Sequence, residues 1–177
     1  MPSLQAHTHL GAIRNILQQE LETAATLGQK YMVVPYVPGD ERTLEQYERH
    51  ADTLNRAGEQ ARQAGIQMGY HNHDFEFAVQ QGGKIGYDYL TTLTEPGLVA
   101  FEMDLFWIIH AGHDPIPYFN KFPGRFTMLH VKDRTAGGEM VDVGRGVIDF
   151  ADIFSHADNA GFEHYFIEHD RPTDGVN

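Results

Sequence analysis

Six short apolar runs of strand length alternate along the 177 residues with stretches of helical hydrophobic spacing. A strand that continues into a helix before the next strand makes a βαβ unit, and repeated units build a parallel sheet. Tyr31-Met32-Val33-Val34-Pro35 is the clearest of these runs, continuous in the way a strand buried on both faces must be. The others lie at Leu4–His9, Ile66–His71, Leu98–Asp104, Arg125–Val131 and His164–Glu168. The spacing predicts a helix from Asn15 to Leu27 stopped by Gly28, and a long one from about Thr43 to Ala64 closed by Gly65. Shorter helices are expected at Tyr87–Leu93 and Pro115–Lys121, with a helix or loop through Trp107–His110. Asp149 should cap a helix reaching Ala160, and Gly137 to Gly146 reads as one long loop. No low-complexity tract, linker or sequence repeat interrupts the alternation, so a single domain over residues 1–177 is expected.

Composition narrows the partners. A net charge of −12 with only 13 basic residues leaves no clustered Lys and Arg to neutralise a phosphate backbone, so nucleic acid is not expected as a partner. No apolar run is long enough to span a membrane. Met1-Pro2-Ser3-Leu4 has neither the basic start nor the apolar core of a signal peptide. The absence of cysteine excludes disulfides and thiolate metal sites and fits a cytoplasmic location.

Eleven histidines are unusual in a chain of this length, and their positions matter more than their number. Gly69-Tyr70-His71-Asn72-His73-Asp74-Phe75-Glu76-Phe77 packs two histidines and two carboxylates between His71 and Glu76. Four successive strands end in His71, Asp104, His130 and Glu168, at spacings of 33, 26 and 38 residues. A single strand-end histidine or acid is more often a surface or cap residue than a ligand. Four at the same place in consecutive units reverse that expectation, because parallel strands present their C-terminal ends on one face. Two imidazoles and two carboxylates make a mixed nitrogen and oxygen site for Mn²⁺, Zn²⁺, Co²⁺ or Mg²⁺.

The motifs His71-Asn72-His73-Asp74-Phe75-Glu76-Phe77, Phe101-Glu102-Met103-Asp104-Leu105-Phe106-Trp107, Ala111-Gly112-His113-Asp114-Pro115, Leu129-His130-Val131-Lys132-Asp133, Gly144-Arg145-Gly146-Val147-Ile148-Asp149-Phe150 and Ile167-Glu168-His169-Asp170 together resemble the sugar phosphate isomerase/epimerase family. That family sits in the xylose isomerase-like TIM-barrel superfamily, with inosose dehydratase and the endonuclease IV branch. The resemblance covers essentially the whole chain. It implies an α/β TIM-barrel-type fold in which the six βα units correspond to strands three to eight of an eight-strand barrel, and a carbohydrate substrate. It also implies a divalent metal, commonly Mn²⁺, at the barrel mouth. A barrel of six strands leaves a gap, which either a longer polypeptide or a second copy of the chain in a homodimer would cover.

In the epimerases the resemblance points to, the metal ligands are Glu, Asp, His and Glu. Asp104, His130 and Glu168 keep their types, whereas His71 stands where those enzymes carry a glutamate. Trp107 replaces the histidine that grips substrate in the family. The lost glutamate is half of the acid/base pair that moves a proton beside a carbonyl. Isomerisation or epimerisation remains the leading expectation, with elimination from a keto-sugar or inosose as the alternative. A metal- or sugar-binding protein without turnover is the third reading. Glu168 is the candidate base and His73 or His7 the candidate acid. His7, Trp107, Lys132 and Arg145 are the candidates for substrate contact, and Glu102 reads as an interior polar residue paired with Lys132.

Overall fold

The computed structural model describes residues 4–172, so the leader-free start read at Met1–Ser3 lies outside the described residues. The chain forms two compact units, Met1–Glu102 and Met103–Asn177. The first contains β1 (Gln5–His7), α1 (Leu10–Thr26), β2 (Tyr31–Val34), α2 (Leu44–Gln63), β3 (Gln67–His71), α3 (Gly86–Leu93) and most of β4 (Val99–Asp104). Its strands pair in the order β1-β2-β3-β4, all parallel, with Val33 opposite both His7 and Gly69 and with His71 opposite Glu102. Every residue of β2 and β4 is buried, including the two acids of β4, Glu102 and Asp104. His7 and His71 both end their strands, and parallel pairing puts those ends on the same edge of this sheet.

α2 shows how sequence becomes packing here. Thr43 caps it by accepting the Gln46 N–H at 3.3 Å, and Tyr47, Ala51, Leu54, Ala57, Gly58 and Ala61 form its buried face. Gly58 lets the helix lie against the chain entering β4, because a Cβ there would stand 2.6 Å from the Leu98 carbonyl oxygen. Full burial of a side chain such as Leu54 contributes about 2 kcal/mol.

The second unit contains α4 (Leu105–His110), α5 (Ile116–Lys121), β5 (Met128–Val131), β6 (Asp133–Arg134), β7 (Met140–Val141), α6 (Phe150–Ser155), α7 (Ala157–Ala160) and β8 (His164–Ile167). β5 and β8 pair in parallel, with His130 opposite Phe166. Among the described residues no helix is long and apolar enough to cross a membrane.

Three expectations need correction. α1 begins at Leu10 rather than Asn15, burying Leu10 and Ile13, and a kink at Ile16 (φ −136°) breaks the helical spacing just where the pattern seemed to start. The helix expected from Asp149 to Ala160 divides at His156. Its second piece is tied to α5 by Asn159, whose side-chain amide donates to the Phe119 carbonyl at 3.0 Å. The expected loop holds β7, which pairs with β6 just ahead of it in a hairpin closed by the Thr135 N–H donating to the Glu139 carbonyl at 2.8 Å. Strands of two residues carry no periodicity to read.

Candidate active site

In the second unit Asp104, His130, Lys132 and Glu168 come together. Asp104 ends β4 and caps α4, its Oδ1 accepting the Trp107 N–H at 2.9 Å. His130 and Lys132 lie two residues apart on one face of the chain leaving β5. Glu168 follows the last residue of β8. His130 Nδ1 lies 2.9 Å from Glu168 Oε2 and 3.8 Å from Asp104 Oδ2. The Lys132 ammonium stands 3.0 Å from Asp104 Oδ2, 2.6 Å from Glu168 Oε2 and 2.6 Å from Asp170 Oδ1. Lys132 therefore answers to three acids of its own unit.

Charge sorts these groups. Burial pushes the Asp104 carboxyl up to about 6, against the opposing pull of Lys132. The hydrogen bond to His130, joined by Lys132, holds Glu168 well below the usual carboxylate range. Burial works against the charge of Lys132, but Asp104 and the hydrogen bonds to Asp170 and Glu168 outweigh it and raise its pKa.

The residues fit a divalent cation on two counts. Asp104 and Glu168 already converge on one cation, the Lys132 ammonium. With metal–ligand bonds of about 2.1 Å, neighbouring ligand atoms stand about 3–3.5 Å apart. The His130 nitrogen lies at 2.9 and 3.8 Å from the two carboxylate oxygens, close to that spacing. One imidazole and two hard oxygens suit Zn²⁺, Mn²⁺ or Mg²⁺.

The first unit places the other sequence candidates. His71 is buried, with Nδ1 3.4 Å from Glu102 Oε2. His7, half exposed, has Nε2 3.8 Å from the same oxygen. The His73 ring meets His71 edge-on at 4.9 Å and stacks on Phe75 at 5.6 Å. Trp107 lies half-buried on α4 of the second unit. Arg145 is exposed in the loop after β7, 3.8 Å from Asp142.

Two residues that organise these segments were given no role from the sequence. Asp133 is buried and gathers the backbone N–H groups of Arg134, Gly144, Gly146 and Ile148. Glu76, fully buried, accepts the Tyr70 hydroxyl at 2.6 Å and the His73 N–H at 2.8 Å, fixing the turn after β3. An acid framed by Phe75 and Phe77 was the available signal for Glu76.

Burial pushes Glu76 up to about 7 from an ordinary 4.5. A raised folded-state pKa stabilises the fold in full below the unfolded value and loses that contribution as pH rises through the folded one. Glu76 should therefore cost the protein up to about 3 kcal/mol between pH 4.5 and 7. Glu76→Gln mimics the protonated acid, its amide donating to the Tyr70 hydroxyl while its oxygen accepts from His73. Urea unfolding at pH 5 and pH 7.5 should show a smaller fall in stability for this variant than for the wild type. Identical falls would show that Glu76 does not titrate in this range.

The xylose isomerase-like TIM barrel family model matches residues 4–175, and the chain belongs to that family. Inosose dehydratase of Lacticaseibacillus casei is 29% identical over 143 residues, which are 71% of this chain and 47% of that protein. Inosose dehydratase of Clostridium beijerinckii is 27% identical over 169 residues, 85% of this chain and 52% of its own. A crystal structure of a sugar phosphate isomerase/epimerase from Parabacteroides distasonis superposes with a TM-score of 0.84 at 27% identity, over 97% of this chain and 64% of that one. The chain thus spans about half the length of the curated relatives it matches.

Proposed function

We propose that the chain carries the metal-binding half of a carbohydrate lyase, which eliminates water or an alcohol from a keto-sugar or keto-cyclitol. The observation that carries this reading is Glu168, the carboxylate that stands against both the His130 ring and the Lys132 ammonium. Glu168 is held charged by His130 and Lys132, while Asp104 is buried and committed to capping α4. The resemblance places the second glutamate of the two-carboxylate epimerases at the position of His71. One carboxylate base suits an elimination, in which the α-carbon loses a proton and none is returned to its opposite face. The curated relatives, named as inosose dehydratases, support the same reading.

Asp104, His130 and Glu168 would hold the divalent ion, with His71 added as fourth ligand on the strength of the sequence pattern alone. Bound there, the ion would supply Lewis acidity to the substrate carbonyl and so acidify the neighbouring C–H. Glu168 takes that proton, a double bond forms between the α and β carbons, and the β C–O bond breaks. Lys132 holds a substrate oxygen beside Glu168. The departing oxygen needs a proton, which the sequence pattern assigns to His73 or His7; Arg145 is proposed as a substrate contact on the same basis.

Elimination from a ketone leaves a conjugated enone, which absorbs in the ultraviolet. Incubating the Mn²⁺- or Zn²⁺-supplemented protein with an inosose or a keto-sugar should build that absorbance. Ketose–aldose interconversion without it would establish the isomerase reading, which shares the first proton transfer and accords with the Parabacteroides structure. Metal uptake without turnover on either class would leave a binding protein.

A further inference from the structure

Beside the Lys132–Glu168 pair the second unit has a groove of about 510 Å³, within the range of roughly 300–1,000 Å³ usual for small-molecule sites. Trp107 and His110 of α4 form one wall, Glu139 and Met140 of the hairpin another, and Asp170 and Arg171 the end beyond β8. Asp170 joins the groove to the reaction centre, since the same Lys132 ammonium that touches Glu168 Oε2 also donates to Asp170 Oδ1 at 2.6 Å. Asp104 joins them a second time by fixing the Trp107 backbone at 2.9 Å.

The walls are tied in place. Arg134 Nη1 donates to the Ile109 carbonyl at 3.0 Å, holding the hairpin to α4, and the Asp170 N–H points at Met140 Sδ at 3.2 Å. Phe106 braces the indole edge-on at 4.9 Å and stacks on His110 at 5.2 Å. The result is an aromatic face with acceptors at its rim. Such a surface takes the C–H face of a pyranose on the indole while carboxylates accept its hydroxyls. It suits a phosphate poorly. Glu139 and Asp170 outnumber the one guanidinium that lines it, Arg171.

We propose that this groove receives a second, uncharged pyranose ring, so that the substrate is a glycoside and not a sugar phosphate. The inference rests on the carbohydrate reading given above, but its test needs no turnover. Trp107 is the only tryptophan of the chain, so its emission reports the groove directly. Titration with cellobiose, maltose and lactose should give, for at least one of them, a saturable change in emission at a concentration at least tenfold below that required by glucose. Glucose 6-phosphate should be weaker than that disaccharide. Equal responses to glucose and the disaccharides, no response to any of them, or the strongest response to glucose 6-phosphate would overturn the proposal. Met140→Arg should abolish the disaccharide response while metal uptake stays as in the wild type; an unchanged response would also count against the groove. A protein that answers cellobiose in this way but eliminates nothing would sink the lyase reading and leave the groove standing.

Discussion

His130→Ala is expected to weaken divalent-metal affinity by more than about 100-fold, since removal of groups that merely orient a ligand already costs 10–100-fold. Turnover should fall with it. The fold should survive, because Glu168 keeps its contact with Lys132 and Asp104 keeps both Lys132 and the Trp107 N–H. Asp104 needs more care, because Asp104→Ala would remove a helix cap, at about 1 kcal/mol, and leave the buried ammonium short of one acid. Asp104→Asn keeps an oxygen for the cap and removes only the charge. Metal content of the dialysed proteins, measured beside thermal unfolding, separates the two effects. Stoichiometric metal in both His130→Ala and Asp104→Asn would defeat the assignment of these residues as ligands.

Asp104, His130 and Glu168 were legible because strand chemistry is simple. The run Val99–Phe101 aside, β4 buries two acids, and the one that ends the strand, Asp104, was the more legible because it stands at the end where a partner can reach it. Period-two geometry also explains the cluster around Lys132: His130 and Lys132 share one face of their strand, and Glu168 and Asp170 follow the neighbouring strand with the same parity. What parity did not reveal was that Asp170 and Glu168 both reach Lys132. Lys132 has a long stem whose reach depends on how β8 lies beside β5, and that is a property of the sheet, absent from any local window.

The same limit applies to the helices and loops. α2 was readable because twenty residues carry its apolar stripe and Thr43 opens it. α1 was readable only beyond its kink, since Gly11 and Asn15 are weak helix formers and the side chain of Asn15 turns back to the Gly11 carbonyl at 2.7 Å. Glu76 and Asp133 share a different obstacle. Both act by accepting backbone N–H groups, and a backbone donor leaves no mark in the sequence that a side chain can be matched to.

Asp133→Ala is expected to destabilise the protein by about 3 kcal/mol, the largest loss foreseen for a residue outside the cluster around Lys132. The carboxylate is 1% exposed and accepts four N–H groups, from Arg134 at 2.8 Å, Gly144 and Gly146 at 2.9 Å and Ile148 at 3.2 Å. Each orphaned buried donor costs about 1–3 kcal/mol, but Gly144 is exposed and water would replace its lost bond, which keeps the total below the simple sum. The site has no slack for another arrangement. A Cβ on Gly146 would stand 2.2 Å from Asp133 Oδ1 and 2.3 Å from the Arg134 carbonyl oxygen, so the loop passes over the carboxylate at a distance only glycine permits. Asp133→Asn should cost less than alanine, because one oxygen remains while its amide faces donors. Hydrogen exchange locates the effect: in Asp133→Ala the Gly146 and Ile148 amides should lose protection while the β5 amides keep theirs. Because Arg145 lies between the tethered residues, the variant should also raise KM more than it lowers kcat if that guanidinium meets substrate. Unfolding free energy within about 0.5 kcal/mol of wild type, with those amides still protected, would mean that the loop holds its shape without the carboxylate.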